Sequence, residues 1–149
     1  MPMKKMALSF AWVVLIHVLT SLVGFGSIYL ALASFAGGSD SAFMALCMLL
    51  LWFVGGLFAP KTLCGVGCMA ALWAALAYSA ELLLDNYWLT VPQFVAGVGL
   101  AYLWPGDQHS VWFFDVLEPA MAAAAHILLP LALLLGVWVR RLYEKKNIQ

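Results

Sequence analysis

Charged residues are scarce in this chain: they make up 9% of its 149 residues, whereas hydrophobic residues make up 66%. An ordinary soluble domain is about one quarter charged and about half apolar. A chain with so little charge lacks the polar surface that a water-soluble fold needs around its core. The composition therefore excludes an ordinary soluble domain and predicts an integral membrane protein in a lipid bilayer, with residues 1–149 forming a single membrane domain.

Cysteine is also scarce, with Cys47, Cys64 and Cys68 as the complete set. An odd number of cysteines does not form a disulfide framework. The net charge is zero and no basic patch is interleaved with aromatic residues, so we expect no nucleic-acid partner. The sequence has no phosphate-binding loop, zinc-protease helix motif or nucleophile elbow, so an enzymatic activity is not favoured.

What the chain has instead is a series of long uncharged runs. A helix needs about 20 apolar residues to cross a bilayer. Uncharged runs occur at 6–39, 41–60, 62–80, 86–106 and 119–139. They predict an all-α, polytopic transmembrane bundle with spanning helices at about 6–36, 41–60, 62–84 and 119–141.

The positions of the basic residues decide between four and five spans. With four spans, Lys4, Lys5, Lys61 and the basic residues of 140–146 all lie on one side. Basic residues in short flanking segments normally face the cytoplasm. We therefore predict four spans in the plasma (cell) membrane, with the N- and C-termini cytoplasmic. Five spans, the alternative, would place the basic C-terminal group outside.

The uncharged segment 86–106 then belongs to an outer region, 85–118, and does not cross. Pro92, Gly97 and Gly99 are unfavourable in a continuous lipid-facing helix. Non-helical backbone at membrane depth must be shielded by protein or must face a wet cavity. We predict a re-entrant or interfacial segment, whereas Trp88 and Trp104 could alternatively mark the two ends of a fifth span.

Small and polar residues form a stripe on the first helix that includes Thr20, Ser21, Gly24 and Ser27. A spacing of three and four places them on one helix face. Small residues let helices approach closely in lipid. The stripe is therefore a packing surface or a polar pathway, and similar stripes predict that the first, third and fourth spanning helices meet. The bulkier second helix is expected to face lipid or a partner protein.

Two histidines are the strongest candidates for a functional role. At 1.5 Å per residue, His17 lies about 18 Å from Lys5, and His126 lies about 21 Å from Arg140. Both are then near the middle of a core about 30 Å thick, where an ionisable side chain is costly without a partner. They could bind a b-type haem together, relay protons or line a solute path. Alternatively, each bonds a neighbouring hydroxyl or carbonyl group and stays neutral.

Cys47 lies at a similar depth, with Met44 and Met48 on nearby helix faces. Thiolate and thioether sulfur atoms are ligands for soft ions such as Cu(I). These three residues, with the histidines, could therefore form a copper site.

The outer region carries acidic residues and one histidine. Asp107 and His109 could act as an acid–base pair, or could bind a cation with Asp115 and Glu118. Such groups beside an interfacial hairpin would suit an enzyme that acts on lipid headgroups, although a solvated acidic loop explains them equally. Distance along the third helix places Glu81 at the outer boundary of the membrane.

These observations favour a permease-like component or a membrane-embedded subunit that works as a homo-oligomer or with another membrane protein. A haem- or copper-binding protein that uses the mid-membrane histidines is one alternative. An interfacial lipid enzyme that uses the acidic outer loop is the other.

Overall fold

The computed structural model describes residues 3–34, 38–60, 63–84, 87–106 and 110–148, and all regular structure in these ranges is helical. The four longer helices are α1 (Met3–Ser34), α2 (Gly38–Leu57), α3 (Leu63–Leu84) and α5 (Glu118–Asn147). A shorter helix, α4 (Val91–Tyr102), follows the 3₁₀ turn Tyr87–Thr90. The π-helical turn Phe113–Leu117 leads directly into α5. The predicted all-α fold class is confirmed for these ranges.

Three stretches of helix in the described ranges are long and apolar enough to cross a membrane: Met3–Tyr29, Gly65–Leu84 and Phe113–Asn147. Two further apolar stretches, Ser41–Leu57 in α2 and Val91–Tyr102 in α4, are shorter. The chain is therefore a helical protein with three helices able to span a bilayer by their length and composition.

Contacts between side chains and backbone fix the directions of the helices. Trp12, in the first half of α1, donates its Nε1–H to the carbonyl oxygen of Gly55 near the end of α2, at 3.0 Å. Glu81, near the end of α3, lies 3.0 Å from His126 in the first third of α5. Helices α1 and α2 are therefore antiparallel, and so are α3 and α5.

Arg140, about two turns before the end of α5, binds the end of α2, and the two helices run parallel. Its Nη1 donates to the carbonyl oxygen of Leu57 at 3.0 Å and to that of Ala59. The last carbonyl groups of a helix have no intrahelical donor, and a cation there also interacts favourably with the helix dipole. We call this part of the bundle, which holds Arg140 and the start of α1, the basic end.

Helices α2 and α5 cross with their backbones in close contact. A Cβ atom added at Gly136 would meet the backbone carbonyl oxygen of Phe53, and one added at Gly56 would meet that of Leu133. Since any side chain would displace the other backbone, glycine is required on both helices. Close approach of this kind is how helices gain packing energy in lipid.

Helix α4 lies inside the bundle, packed against α1, α2 and α5. Eight of its 12 residues are buried. Gly97 makes room for the backbone of Ala122 in α5, and Gly99 makes room for the backbone of Ser41 in α2. Pro92 lies in the first turn of α4, where its missing N–H breaks no helical hydrogen bond. The glycines and the proline are therefore compatible with a continuous buried helix.

The ends of α4 lie at different depths. Its first turn packs on Gly24 in α1, whereas Gly99 packs on Ser41 at the start of α2. Helix α4 therefore runs from the interior of the bundle towards the end opposite the basic end. Helix α3 also finishes at that opposite end, since Glu81 meets His126 in the first third of α5. The chain thus leaves α3, turns back into the bundle at the 3₁₀ turn, and returns in α4.

The main hydrophobic core includes Met48 and Trp52 of α2 together with Leu129 and Leu133 of α5, all fully buried. Helix α2, which was expected to face lipid or a partner protein, therefore has a core face as well as the exposed Phe43, Leu46 and Leu50. The expected contacts of the third spanning helix with the first and the fourth are present. The most extensive contacts of α2 are with α4 and α5. Glycines in these helices let the backbones approach, and the bulky side chains of α2 fill the space between them.

Replacing Gly136 tests the crossing between α2 and α5. We expect Gly136→Ala to lower the free energy of unfolding by about 1–3 kcal/mol, because overpacking forces the backbones apart. Gly26→Ala is the matched control, since a Cβ there meets nothing within 4 Å and alanine favours a helix by about 0.5–1 kcal/mol. Equilibrium unfolding by SDS in mixed micelles measures both. Equal stability of the two variants would contradict the crossing.

Candidate functional site

The candidate site is a group of polar side chains in the interior, contributed by α1, α3, α4 and α5. We call it the polar cluster, and its members are His17, Trp73, Glu81, Gln93 and His126. The exposed fractions of His17, Gln93 and His126 are 4%, 1% and 5%. A polar group so deeply buried is costly unless it is hydrogen-bonded. The hydrogen bonds of each member therefore decide what the cluster can do.

His17 connects the middle of α1 to the turn before α4. Its Nε2 atom lies 2.7 Å from the carbonyl oxygen of Leu89. A carbonyl oxygen only accepts, so Nε2 donates its hydrogen, and the Nδ1 atom of the neutral ring carries a lone pair. The rings of Trp52 and Trp73 pack against the imidazole at centroid distances of 6.3 and 5.0 Å, both edge-to-face. These contacts fix the orientation of the imidazole ring.

His126 pairs with Glu81. The distance between His126 Nε2 and Glu81 Oε2 is 3.0 Å, and the glutamate side chain is 20% exposed. With the carboxylate as acceptor, Nε2 donates its hydrogen, so Nδ1 carries the lone pair in the neutral ring here as well. The ring of Tyr78 packs edge-to-face on His126 at a centroid distance of 5.1 Å.

Pro130 affects the backbone hydrogen bonding of His126. It is buried within the helix, four residues after His126. Because proline has no N–H, it cannot donate the usual helical hydrogen bond to the carbonyl oxygen of His126.

Four buried atoms of the polar cluster have no hydrogen-bond partner within the described ranges. They are His17 Nδ1, Trp73 Nε1, Gln93 Oε1 and His126 Nδ1. Buried polar atoms in native proteins nearly always have a partner, which is often water or a ligand. Gln93 Oε1 is an acceptor and Trp73 Nε1 is a donor, and each histidine Nδ1 is an acceptor while its ring is neutral.

Helix geometry indicates that these groups lie at similar depths. Gly97 packs on Ala122, and α4 and α5 run antiparallel. Gln93 precedes Gly97 by about one turn, and His126 follows Ala122 by about one turn, so Gln93 and His126 lie at one level. His17 contacts Leu89, which precedes Gln93 by four residues.

The comparisons with protein-family models, with curated proteins and with solved structures find no match to this chain.

The predicted haem ligands are both engaged through Nε2. His17 donates from this atom to Leu89, and His126 donates from it to Glu81. A haem bound through these atoms would require both bonds to break. The haem interpretation stays a prediction.

The predicted copper ligands lie in or beside the hydrophobic core. Met48 is fully buried there, Met44 packs against it, and Cys47 is a partly exposed free cysteine. The described ranges contain no group of three or more histidine, cysteine, aspartate or glutamate residues that could hold a metal ion. The copper interpretation also stays a prediction.

The stripe on α1 uses its hydroxyl groups within its own helix. Thr20, Ser21 and Ser27 each donate to a backbone carbonyl oxygen three or four residues earlier, at 2.7–2.8 Å. Thr20 also accepts a hydrogen bond of 3.2 Å from Nε1 of Trp52. Gly24 gives space to the first turns of α4. These contacts favour the packing interpretation of the stripe over the pathway interpretation.

The four outer residues are not seen as one group. Asp107 and His109 lie outside the described ranges. Asp115 is exposed in the π-helical turn, and Glu118 is a partly exposed residue at the first position of α5. The predicted acid–base pair and the lipid enzyme stay predictions.

The sequence patterns did not indicate Gln93 or Trp73 as site residues, and Glu81 was expected only at the outer boundary of the membrane. A boundary position for Glu81 follows from counting along the helix axis to its Cα atom. Side chains on a helix tilt towards its N-terminus, which brings the carboxylate of Glu81 down to His126. The signal for Gln93 was its amide in an uncharged segment, and its burial depends on α4 packing inside the bundle.

A double-mutant cycle tests the pair of Glu81 and His126. We expect Glu81→Ala and His126→Ala to be non-additive by about 1–2 kcal/mol in the free energy of unfolding, because each change leaves the other group buried without its partner. Glu144→Ala with His126→Ala is the control. Glu144 lies 18 residues further along α5, so these two should add within about 0.5 kcal/mol. Additivity of Glu81 with His126 would contradict the pairing.

Proposed function

We propose that the protein is a small permease-like membrane component in which the polar cluster is the binding point for a small solute. The observation that supports this most directly is a set of buried ionisable and polar groups, with unused hydrogen-bonding atoms, inside an otherwise apolar bundle. Ionisable residues at such depth typically mark substrate or ion pathways. The short helix α4 also starts beside this cluster, as discontinuous helices do at the binding sites of transporters.

The proposed topology has four spans, α1, α2, α3 and α5, with α4 as a re-entrant helix. Helix α4 has 12 residues, which give a length of about 18 Å, well short of a core of about 30 Å. The end of α3 and the end of α4 lie at the same end of the bundle. The basic end, which holds Lys4 and Arg140, then faces the cytoplasm of the plasma membrane.

Cysteine labelling tests this topology. The native cysteines are replaced by alanine, and Lys4→Cys, Val111→Cys and Lys145→Cys are made singly. We expect an impermeant maleimide to label Val111→Cys in intact cells, because this residue is 74% exposed at the end opposite the basic end. The two lysine positions should react only after permeabilisation. Labelling of Lys145→Cys in intact cells, with Lys4→Cys still protected, would instead support five spans.

We further propose that the protein works as an oligomer or as a subunit with another membrane protein. Helices α1 and α3 bury only 22% and 17% of their most apolar windows, compared with 39% for α5. Their outward surfaces are available to a neighbouring chain, although lipid also satisfies an apolar surface. Native mass spectrometry after gentle extraction would show copies of this chain or a partner.

Solute flux tests the central proposal. The protein, with any partner that co-purifies, is reconstituted in liposomes, and uptake of a panel of small neutral and charged solutes is followed by stopped-flow light scattering. We expect Glu81→Gln and His126→Gln to slow the transported solute about tenfold, the effect of about 1.4 kcal/mol. Phe94→Leu is the control, since Phe94 is 41% exposed on α4. The proposal would be overturned if every solute entered the liposomes at the rate seen without protein.

A further inference from the structure

The hydrogen-bonding roles in the polar cluster point to a class of solute. We propose that the cluster binds a small cation that donates hydrogen bonds, namely ammonium or a small protonated amine. This inference rests on the proposed function and names its substrate class. Three features support it: the unpartnered acceptors, the charge of an ionised Glu81, and the small positive charge at the N-terminus of α4.

The acceptors follow from bonds already made. His17 uses its Nε2 hydrogen on Leu89, and His126 uses its Nε2 hydrogen on Glu81. In its neutral form each imidazole presents the lone pair of Nδ1, and neither Nδ1 atom has a hydrogen-bond partner within the described ranges. Gln93 Oε1 is a third such acceptor. The three atoms lie on α1, α5 and α4, and a ligand that meets all three must carry several N–H donors.

The charge of the cluster favours a cation. With Glu81 ionised and His126 donating only through Nε2, this pair carries one negative charge. A bound cation would balance that charge in surroundings of low polarity, where an unbalanced charge is costly. An anion would meet both the carboxylate and the lone pairs.

The feature that most favours an anion is the N-terminus of α4, but its positive charge is smaller than the negative charge of an ionised carboxylate. A helix N-terminus carries about half of an elementary positive charge. Pro92 lies in the first turn and has no N–H, so one of the amide donors that would hold an anion is missing. The balance at the cluster remains negative.

Ammonium also fits better than a metal ion of the alkali group. Hard cations prefer oxygen ligands, whereas two of the three acceptors here are imidazole nitrogen atoms. The four N–H bonds of ammonium point in tetrahedral directions and can serve several acceptors at once. The geometry therefore selects by hydrogen bonding as well as by charge.

Nitrogen NMR of the imidazole rings tests the inference. The full chain is labelled with ¹⁵N-histidine, placed in lipid nanodiscs at neutral pH, and titrated with ammonium chloride, with potassium chloride at matched ionic strength as the reference. The signals are assigned with His17→Gln and His126→Gln. We expect ammonium to shift the Nδ1 signals of both rings saturably, because each lone pair gains a donor, while the Nε2 signals stay protonated.

Variants on α4 identify the third acceptor. Gln93→Leu should raise the apparent Kd for ammonium about tenfold, the loss of one hydrogen bond to a charged group. Phe94→Leu, the neighbouring position with an exposed side chain, should leave the Kd within about twofold. An unchanged Kd in Gln93→Leu would remove Gln93 from the site.

Several results would overturn the inference. These are Nδ1 signals that do not move with ammonium, that move equally with potassium, or that move with sodium formate or zinc chloride instead. Saturable binding without any flux would overturn the transport proposal and leave the ammonium site standing. Flux of another solute without ammonium binding would do the reverse, so the two failures are distinguishable.

Discussion

The contact on which the other helices depend is the backbone crossing of α2 and α5 at Gly56 and Gly136. In lipid, helices gain little from burying apolar surface, so close packing and interhelical hydrogen bonds must hold them together. The crossing brings two parallel helices close enough for Arg140 to bond the last carbonyl groups of α2. The same pair then forms two of the walls against which α4 packs. A wider separation of α2 and α5 would break the bonds of Arg140 to the end of α2 and would also disrupt the surface against which α4 packs.

The bond between His17 and Leu89 joins the fold to the chemistry of the site. It holds the turn that begins α4 beside the middle of α1, and it also fixes which nitrogen of the ring carries hydrogen. The pair of Glu81 and His126 does the same between α3 and α5. The position of the helices and the lone pairs presented to the interior are therefore consequences of the same two hydrogen bonds.

Composition and uncharged runs predicted an all-helical chain with helices able to span a bilayer, because these properties depend on single segments. Counting along helices placed His17 and His126 near the middle of the bilayer, but it could not show that both side chains are buried in the bundle. The pairing of helices could not be read in this way. The bulk of α2 indicated an outward face, but the direction that Met48 and Trp52 take depends on glycines in two other helices. Gln93 was missed for the same reason, since its burial requires α1, α2 and α5 to surround α4.

The packing of α4 against α5 has a consequence for the order in which the buried interior forms. Helix α5 is synthesised after α4, yet Ala122 of α5 is part of the surface against which Gly97 packs. When α4 has just been made, that surface does not yet exist. The amide of Gln93 and the glycine face of α4 therefore become fully buried only once α5 has been added. Truncation within α5 would remove part of the surface against which α4 packs.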